Sequence, residues 1–437
     1  MIETLKKEII SLLEENRERI YQVGEDLFSH PELGFFEEYT ENYICRYLDE
    51  QNIPYMNHIA LHGVQVTLGK GSDYHIGVAA DMDALLTSMD GAMAPFHSCG
   101  HSIQVAVLLN LITAFHKSNI LETLSGRVSF IFTPAEEFID IDSREELIKA
   151  GHIKFYSGKQ NMIYEGIFDD IDVLLSCHVM GKDEKNPDAL FDVNSTLAGF
   201  IRKEVIFRGT AAHAGVAPHL GKNALHGANL SLTAIQMLKD TFSLESGARV
   251  YPILKEGGKT ANIICDYAVI ETYIRANTEK DLLHINKQVN NAISHCAQAL
   301  EIACEITDVN GYLPLNQSKE VNAVIYKNML SICKEEKIIH NVVSGASGDI
   351  GDISFLLPTI QFGFSGICGN VHSNQFEIVE KQHVYENTAV VLAGTILDLL
   401  SDKNLQVKEE KKLEKKEFYL KHWLKTEPYT KGGDYDS

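Results

Sequence analysis

The sequence predicts an α/β protein, a mostly parallel sheet domain with a smaller α+β unit of ferredoxin-like type inserted into it. Three short apolar runs, 76–80, 128–132 and 173–175, read as buried strands. Between the first two lies a helical stretch carrying Val105, Leu108, Leu109, Leu111 and Ile112, so strands and helices alternate. In the middle of the chain the pattern becomes β-α-β-α-β, and from about residue 321 the first pattern resumes.

Taken in order, Leu5, Ile9, Leu12 and Leu13 stand at helical spacing near the start. After His30-Pro31-Glu32-Leu33-Gly34 a second helix over 37–51 buries Tyr43, Ile44, Tyr47 and Leu48. In the inserted unit, 204–207 is a strand, 224–238 a helix with Leu225, Leu232, Ile235 and Leu238 on one face, and 267–274 a half-exposed strand. Leu282, Ile285, Val289, Ile293 and Cys296 repeat every 3.6 residues, as an amphipathic helix requires, and 302–306 returns as a strand. A helix over 386–400 closes the pattern. The expected organisation is a discontinuous domain of residues 1–195 plus 312–401, an inserted domain 196–311, and a charged tail 402–437. The tail's nine lysines and eight acids predict a solvated helix with a frayed end, and docking of the single tryptophan, Trp423, is the weaker reading.

The chain has 437 residues and a net charge of −21, from 39 Lys and Arg against 60 Asp and Glu. Nucleic acid and anionic membrane are thereby excluded as main partners, since both demand a basic footprint. No apolar run has the length of a bilayer span, and the first residues lack a signal-peptide core, which predicts a cytoplasmic protein. The eight cysteines are scattered without a CxxC pair and read as reduced thiols, mostly core filler.

Four elements suggest chemistry. His97-Ser98-Cys99-Gly100-His101 sets a thiol and an imidazole two residues apart, both good ligands for zinc-like ions, with Gly100 letting the backbone turn tightly. Alone, such a pair is more often structural. Thr133-Pro134-Ala135-Glu136-Glu137 puts adjacent carboxylates at the C-terminal edge of a buried strand, where α/β sheets place their sites. One can hold metal while its neighbour acts as general base. The competing reading is a helix N-terminus enriched in acids. Cys177-His178 ends a further strand, and His372-Ser373-Asn374 follows a glycine-rich turn.

With these residues in view, the chain resembles the dimetal amidohydrolases of the aminoacylase/carboxypeptidase type, and within them the branch of N-acyl-amino-acid, auxin-conjugate and aminobenzoyl-glutamate amidohydrolases. The resemblance spans about residues 15–400. It rests on His30-Pro31-Glu32, Asp81-Met82-Asp83-Ala84-Leu85, Cys99-Gly100-His101, Pro134-Ala135-Glu136-Glu137, His213 with Pro218-His219, and Asp349-Ile350-Gly351-Asp352. It implies Cys99, His101, Glu137, His178 and His372 as ligands of two divalent ions (zinc, manganese, cobalt or nickel), with Cys99 bridging. It implies Glu136 as the general base that deprotonates the water between the metals and later protonates the leaving amine. The inserted domain would be a lid and dimerisation domain whose His213 reaches the partner subunit's site, with Asn262 and Arg275 binding substrate. A homodimer acting on a small-molecule amide follows.

Two departures stand out. Ala79-Ala80-Asp81 replaces the usual Arg-Ala-Asp, and Cys99-Gly100-His101 continues Ser102-Ile103-Gln104 in place of Asp-x-His. The stretch 139–166 is also longer than in typical members. The expected activity is hydrolysis of N-acyl or aminoacyl amino-acid conjugates, with dipeptidase or aminobenzoyl-glutamate-type activity as the alternative. A catalytically silent ligand-binding relative ranks below, because Cys99 and Glu136 are both present. A zinc oxidoreductase would need a GxGxxG fingerprint, which the sequence lacks.

Overall fold

The computed structural model describes residues 2–89 and 91–424. They form two compact units. The larger comprises the chain up to Thr196, Asn316–Val343 and Asp352–Glu417. The smaller comprises Leu197–Leu315, Ser344–Gly351 and, of the described residues, 418–424.

The larger unit is built on an eight-stranded mixed sheet. Its centre is parallel: Arg127–Thr133, His75–Asp81, Val173–Val179 and Thr359–Phe364 lie side by side in that order. Gly63–Leu68 and Met56–Ile59 extend one flank antiparallel, and Phe191–Val193 pairs antiparallel to Thr359–Phe364 on the other. All seven residues of His75–Asp81 are buried, as expected of a strand covered on both faces. The helix His101–Ser118 is likewise apolar nearly all round, with Ile103, Val105, Leu108 and Leu111 fully buried. A second N-terminal helix, Arg17–Phe28, and the short helices Ile141–Ala150 and Gly158–Glu165 lie outside the sequence expectation.

His30-Pro31-Glu32 has a structural use. The Glu32 carboxylate accepts the N–H groups of Tyr39 and Thr40 at 2.8 and 2.9 Å, capping the helix Glu38–Asp49. Its carbonyl takes the Ala84 N–H at 2.7 Å and so ties that cap to the end of the central strand.

In the smaller unit the strands run Arg249–Val250, Tyr267–Ala276, Gly199–Arg208, Ala303–Asn310, each antiparallel to its neighbour. Helices Ala224–Leu238 and Glu279–Ala299 pack on this sheet, the second through Leu282, Ile285, Val289 and Ile293.

The C-terminal segment departs from the expected solvated tail. Lys412 donates to the Ile171 carbonyl at 2.6 Å, and Lys416 pairs with Asp169 at 2.6 Å. Further on, Tyr419, Trp423 and Leu424 are buried, and the Trp423 indole N–H donates to the Gly311 carbonyl at 3.3 Å. Burying an indole is worth a large apolar area, which outweighs the solubility of the surrounding lysines. The frayed end expected beyond residue 424 lies outside the described residues.

Candidate metal centre

Strand ends of the larger unit deliver the site. Cys99 and His101 flank Gly100, whose φ of +75° is the left-handed turn that starts the helix His101–Ser118. A Cβ on Gly100 would meet Val179 Cγ1 at 2.5 Å, so a larger residue there is excluded twice. Glu136 and Glu137 follow the strand Arg127–Thr133 in an irregular loop, not a helix N-terminus; the next helix starts only at Ile141. His178 stands within Val173–Val179, and His372 lies in a loop whose N–H donates to the Ser98 carbonyl at 2.9 Å.

These elements bring six residues together. Among the described residues, three overlapping groups offer donor atoms within 4.8 Å of one another: Cys99, His101 and His178; Cys99, Glu137 and His372; and His101, Glu136 and Glu137. Cys99 Sγ lies 3.4 Å from His178 Nε2 and 3.2 Å from His372 Nε2, and His372 Nε2 is 3.5 Å from Glu137 Oε1.

Ring tautomers follow from the far sides of the imidazoles. His101 Nδ1 faces the Asp83 carbonyl at 2.9 Å and its carboxylate at 3.1 Å, and His178 Nδ1 faces the Val179 carbonyl at 2.8 Å. Carbonyls only accept, so each Nδ1 carries a proton and each Nε2 is the ring atom turned toward the cluster, the one that can take up an ion by giving up any proton it holds. Asp83 also accepts the Glu137 N–H at 3.0 Å, so one carboxylate holds both the His101 ring and the Glu137 backbone.

Burial pushes the Cys99 thiol well above its ordinary pKa, helped by Glu137. Burial likewise lifts Glu137 to about 7, with His101 opposing, and brings His178 down to about 4. Burial works against charge on His101, yet Cys99 and Asp83 together raise it well above the usual imidazole range. His101 Nε2 and Glu137 Oε1 are buried without a hydrogen-bond partner. Buried donors of that kind are rare unless something else satisfies them. A divalent cation fits: it would coordinate both atoms, and a mixed S, N and O donor set suits zinc, manganese, cobalt or nickel.

The sequence profile described as Peptidase family M20/M25/M40 matches residues 77–398. The chain belongs to that family. It is a metal-dependent hydrolase of the amidohydrolase kind. The Xaa-Arg dipeptidase of Mus musculus is 26% identical over 415 residues, covering 91% of this chain and 90% of the relative. A p-aminobenzoyl-glutamate hydrolase chain of Escherichia coli is 25% identical over 416 residues, covering 80% and 81%. The Bacillus subtilis YXEP protein, a dinuclear metal-binding peptidase, shares the fold with a TM-score of 0.67 at 18% identity, covering 89% of this chain and 99% of its own.

The other predicted site residues of this M20 chain lie in the smaller unit. His213 is exposed, and its Nδ1 accepts the N–H groups of Gly215 and Val216 at 3.2 Å. Its strand-like segment bridges to Ile263, placing Asn262 alongside, where the Ala214 N–H reaches the Asn262 carbonyl at 3.0 Å. Arg275 gives Nη1 to the Gly345 carbonyl at 3.0 Å and to Ser347 Oγ at 2.9 Å.

Around the cluster, several residues carry structure that sequence reading did not assign. Asp83 appears in the motif above but without a role; its spacing two residues after the strand-end Asp81 is the only signal. Gln104, one of the departures, takes the Asp81 N–H at 2.9 Å. His97 is fully buried with both ring nitrogens unpartnered, and burial lowers its pKa to about 3.

Proposed function

We propose that the protein hydrolyses the amide bond of small N-acyl or aminoacyl amino-acid conjugates, using two divalent ions held by Cys99, His101, Glu137, His178 and His372. Dipeptides and aminobenzoyl-glutamate-type amides are the alternative substrates, and both fit the same chemistry. The observation that carries the reading is the convergence of six predicted residues, two of whose buried donor atoms have no hydrogen-bond partner. The ions, when bound, stabilise the charge that develops on the scissile carbonyl oxygen and lower the pKa of water at the site. Glu136, whose Oε2 stands 4.0 Å from His101 Nε2, takes the proton of the attacking water and hands it to the leaving amine. Asp83 holds His101 and the Glu137 backbone in register for this.

The strand order of the smaller unit supports reading it as a ferredoxin-like lid and dimerisation domain over residues 196–311, joined to a catalytic domain of 1–195 plus 312–401. His213 of a second copy stabilises the oxyanion. Asn262 contacts the intermediate, and Arg275, with Nη1 already engaged, meets a substrate carboxylate through the rest of its fork. Val216, Leu220, Leu244 and Tyr251 are exposed apolar side chains on this unit, which supports a homodimer. Free thiols at all eight cysteines, and the lack of a described helix long and apolar enough to cross a membrane, support a cytoplasmic place.

The test is a hydrolysis screen of N-acyl amino acids, dipeptides and aminobenzoyl-glutamate with metal-reconstituted protein. Chelator treatment is expected to abolish turnover, and manganese, zinc or cobalt to restore it. Turnover that survives complete metal removal overturns the reading. For the dimer, mixing His213→Ala with Glu136→Gln protein is expected to recover activity, since each mixed dimer assembles one intact site. Random exchange gives about a quarter of wild-type activity. Two inactive parents that stay inactive after proven exchange would remove His213 from the partner's site.

A further inference from the structure

We infer that Arg144 is a positioning residue of the metal centre, clamping the backbone that presents Glu136 and Glu137. The inference rests on the roles proposed above for those two carboxylates. Ala135, just before them, stands at φ 51°, a left-handed conformation that a residue with a Cβ rarely adopts. Its N–H is taken by Glu37 Oε1 at 2.7 Å, and its carbonyl by the Gly158 N–H at 3.2 Å. Phe35, Ala135 and Ile153 form a small apolar cluster of their own beside this turn. The loop is therefore held from outside the central sheet.

Arg144 completes the hold. Its Nη2 donates to the Glu137 carbonyl and its Nη1 to the Tyr156 carbonyl, so one guanidinium closes the excursion 138–155 at its neck. The Glu137 N–H is fixed by Asp83 on the other side, so both peptide groups flanking the Glu137 Cα are pinned. Arg144 is 1% exposed, with its guanidinium carbon 5.4 Å from the Phe35 ring centroid. Gly34 leaves the room for it: a Cβ there would come within 2.7 Å of Ala135 Cα and of Arg144 Nη2. The helix Ile141–Ala150 buries no residue except Arg144. Its Leu147 and Ile148 are half-buried and pack against the Phe35, Ala135 and Ile153 cluster, so the helix is seated beside the turn, and the one side chain it buries completely is this cation. A lysine could not replace it, because a single nitrogen cannot span two carbonyls as a planar fork does.

Arg144→Met is expected to weaken zinc or manganese binding about 10–100-fold and to lower kcat over a similar range, with KM within about twofold. Arg144→Lys should fall between this variant and the wild type. Metal affinity is read by competition with a chromophoric chelator, which needs no substrate, and folding by circular dichroism. Equal metal affinity and kcat in wild type and Arg144→Met, or a change in KM alone, overturns the inference. So does failure of both variants to fold, since Arg144 would then support the fold at large. A wild-type chain that binds no divalent ion overturns the proposed function as well, which separates the two failures.

Discussion

Glu136→Gln is expected to lower kcat by about 10²–10⁴-fold while leaving the metal content unchanged. Glutamine keeps the size and one oxygen of the side chain but cannot take a proton from water at neutral pH. The residue is outside the five proposed ligands, and the backbone around it is fixed through Ala135 and Glu137, so the substitution should not disturb the cluster. Glu137→Gln is the contrasting case. Its Oε1 is one of the buried unpartnered donors, and replacing the carboxylate should release metal along with activity. Elemental analysis of both variants, set beside their kcat, separates base from ligand. Retained turnover in Glu136→Gln removes it from proton transfer; lost metal makes it a ligand.

The convergence of the candidate site residues was legible because those residues are announced by local patterns. Cys99 and His101 straddle a glycine that the turn requires, and Glu136, Glu137 and His178 stand in or just after strands whose apolar runs are visible in the sequence. Three of the four parallel central strands were legible for the same reason, since strands buried on both faces read as unbroken apolar runs, whereas Thr359–Phe364, broken by Gln361 and Gly363, was not singled out. The antiparallel flanks were not. Met56–Ile59 exposes three of its four residues, and Phe191–Val193 has only three, too few to show a period. Residues supporting the site were hidden differently. Arg144 occupies a position on the same helix face as Ile141 and Ile148 that the apolar pattern would give to an apolar residue, and Lys159 sits on a helix whose buried positions run consecutively from Gly158 to Ile163, so neither periodicity points to a partner. Trp423 was masked by the balanced charges around it, although Tyr419, Trp423 and Leu424 share a helical spacing that could have marked a buried face.

Lys159→Met is expected to destabilise the fold by about 3–5 kcal/mol at neutral pH, because it strands a buried carboxylate. The Lys159 and Asp81 side chains are 1% and 4% exposed and form an ion pair at the end of the central strand. Thr133 Oγ1 donates to the same Asp81 oxygen at 2.5 Å. Burial alone would raise the Asp81 pKa; the Lys159 cation foremost, then His101, outweighs it and holds the carboxyl below its ordinary range. In the wild type this contribution is complete above the unfolded value of about 3.9 and is lost as the pH falls through the lower folded value. With methionine in place the main opposing cation is gone, so the folded pKa moves above the unfolded one and the sign reverses. The variant then loses stability as the pH rises beyond about 4, and the gap in Tm between the two proteins should be wider at about pH 8 than at about pH 5. Metal affinity should drop with it, since Asp83, two residues along, holds both His101 and the Glu137 backbone. Thermal melts of both proteins at the two pH values decide the point. A gap independent of pH would mean that Asp81 is not the group left without its partner.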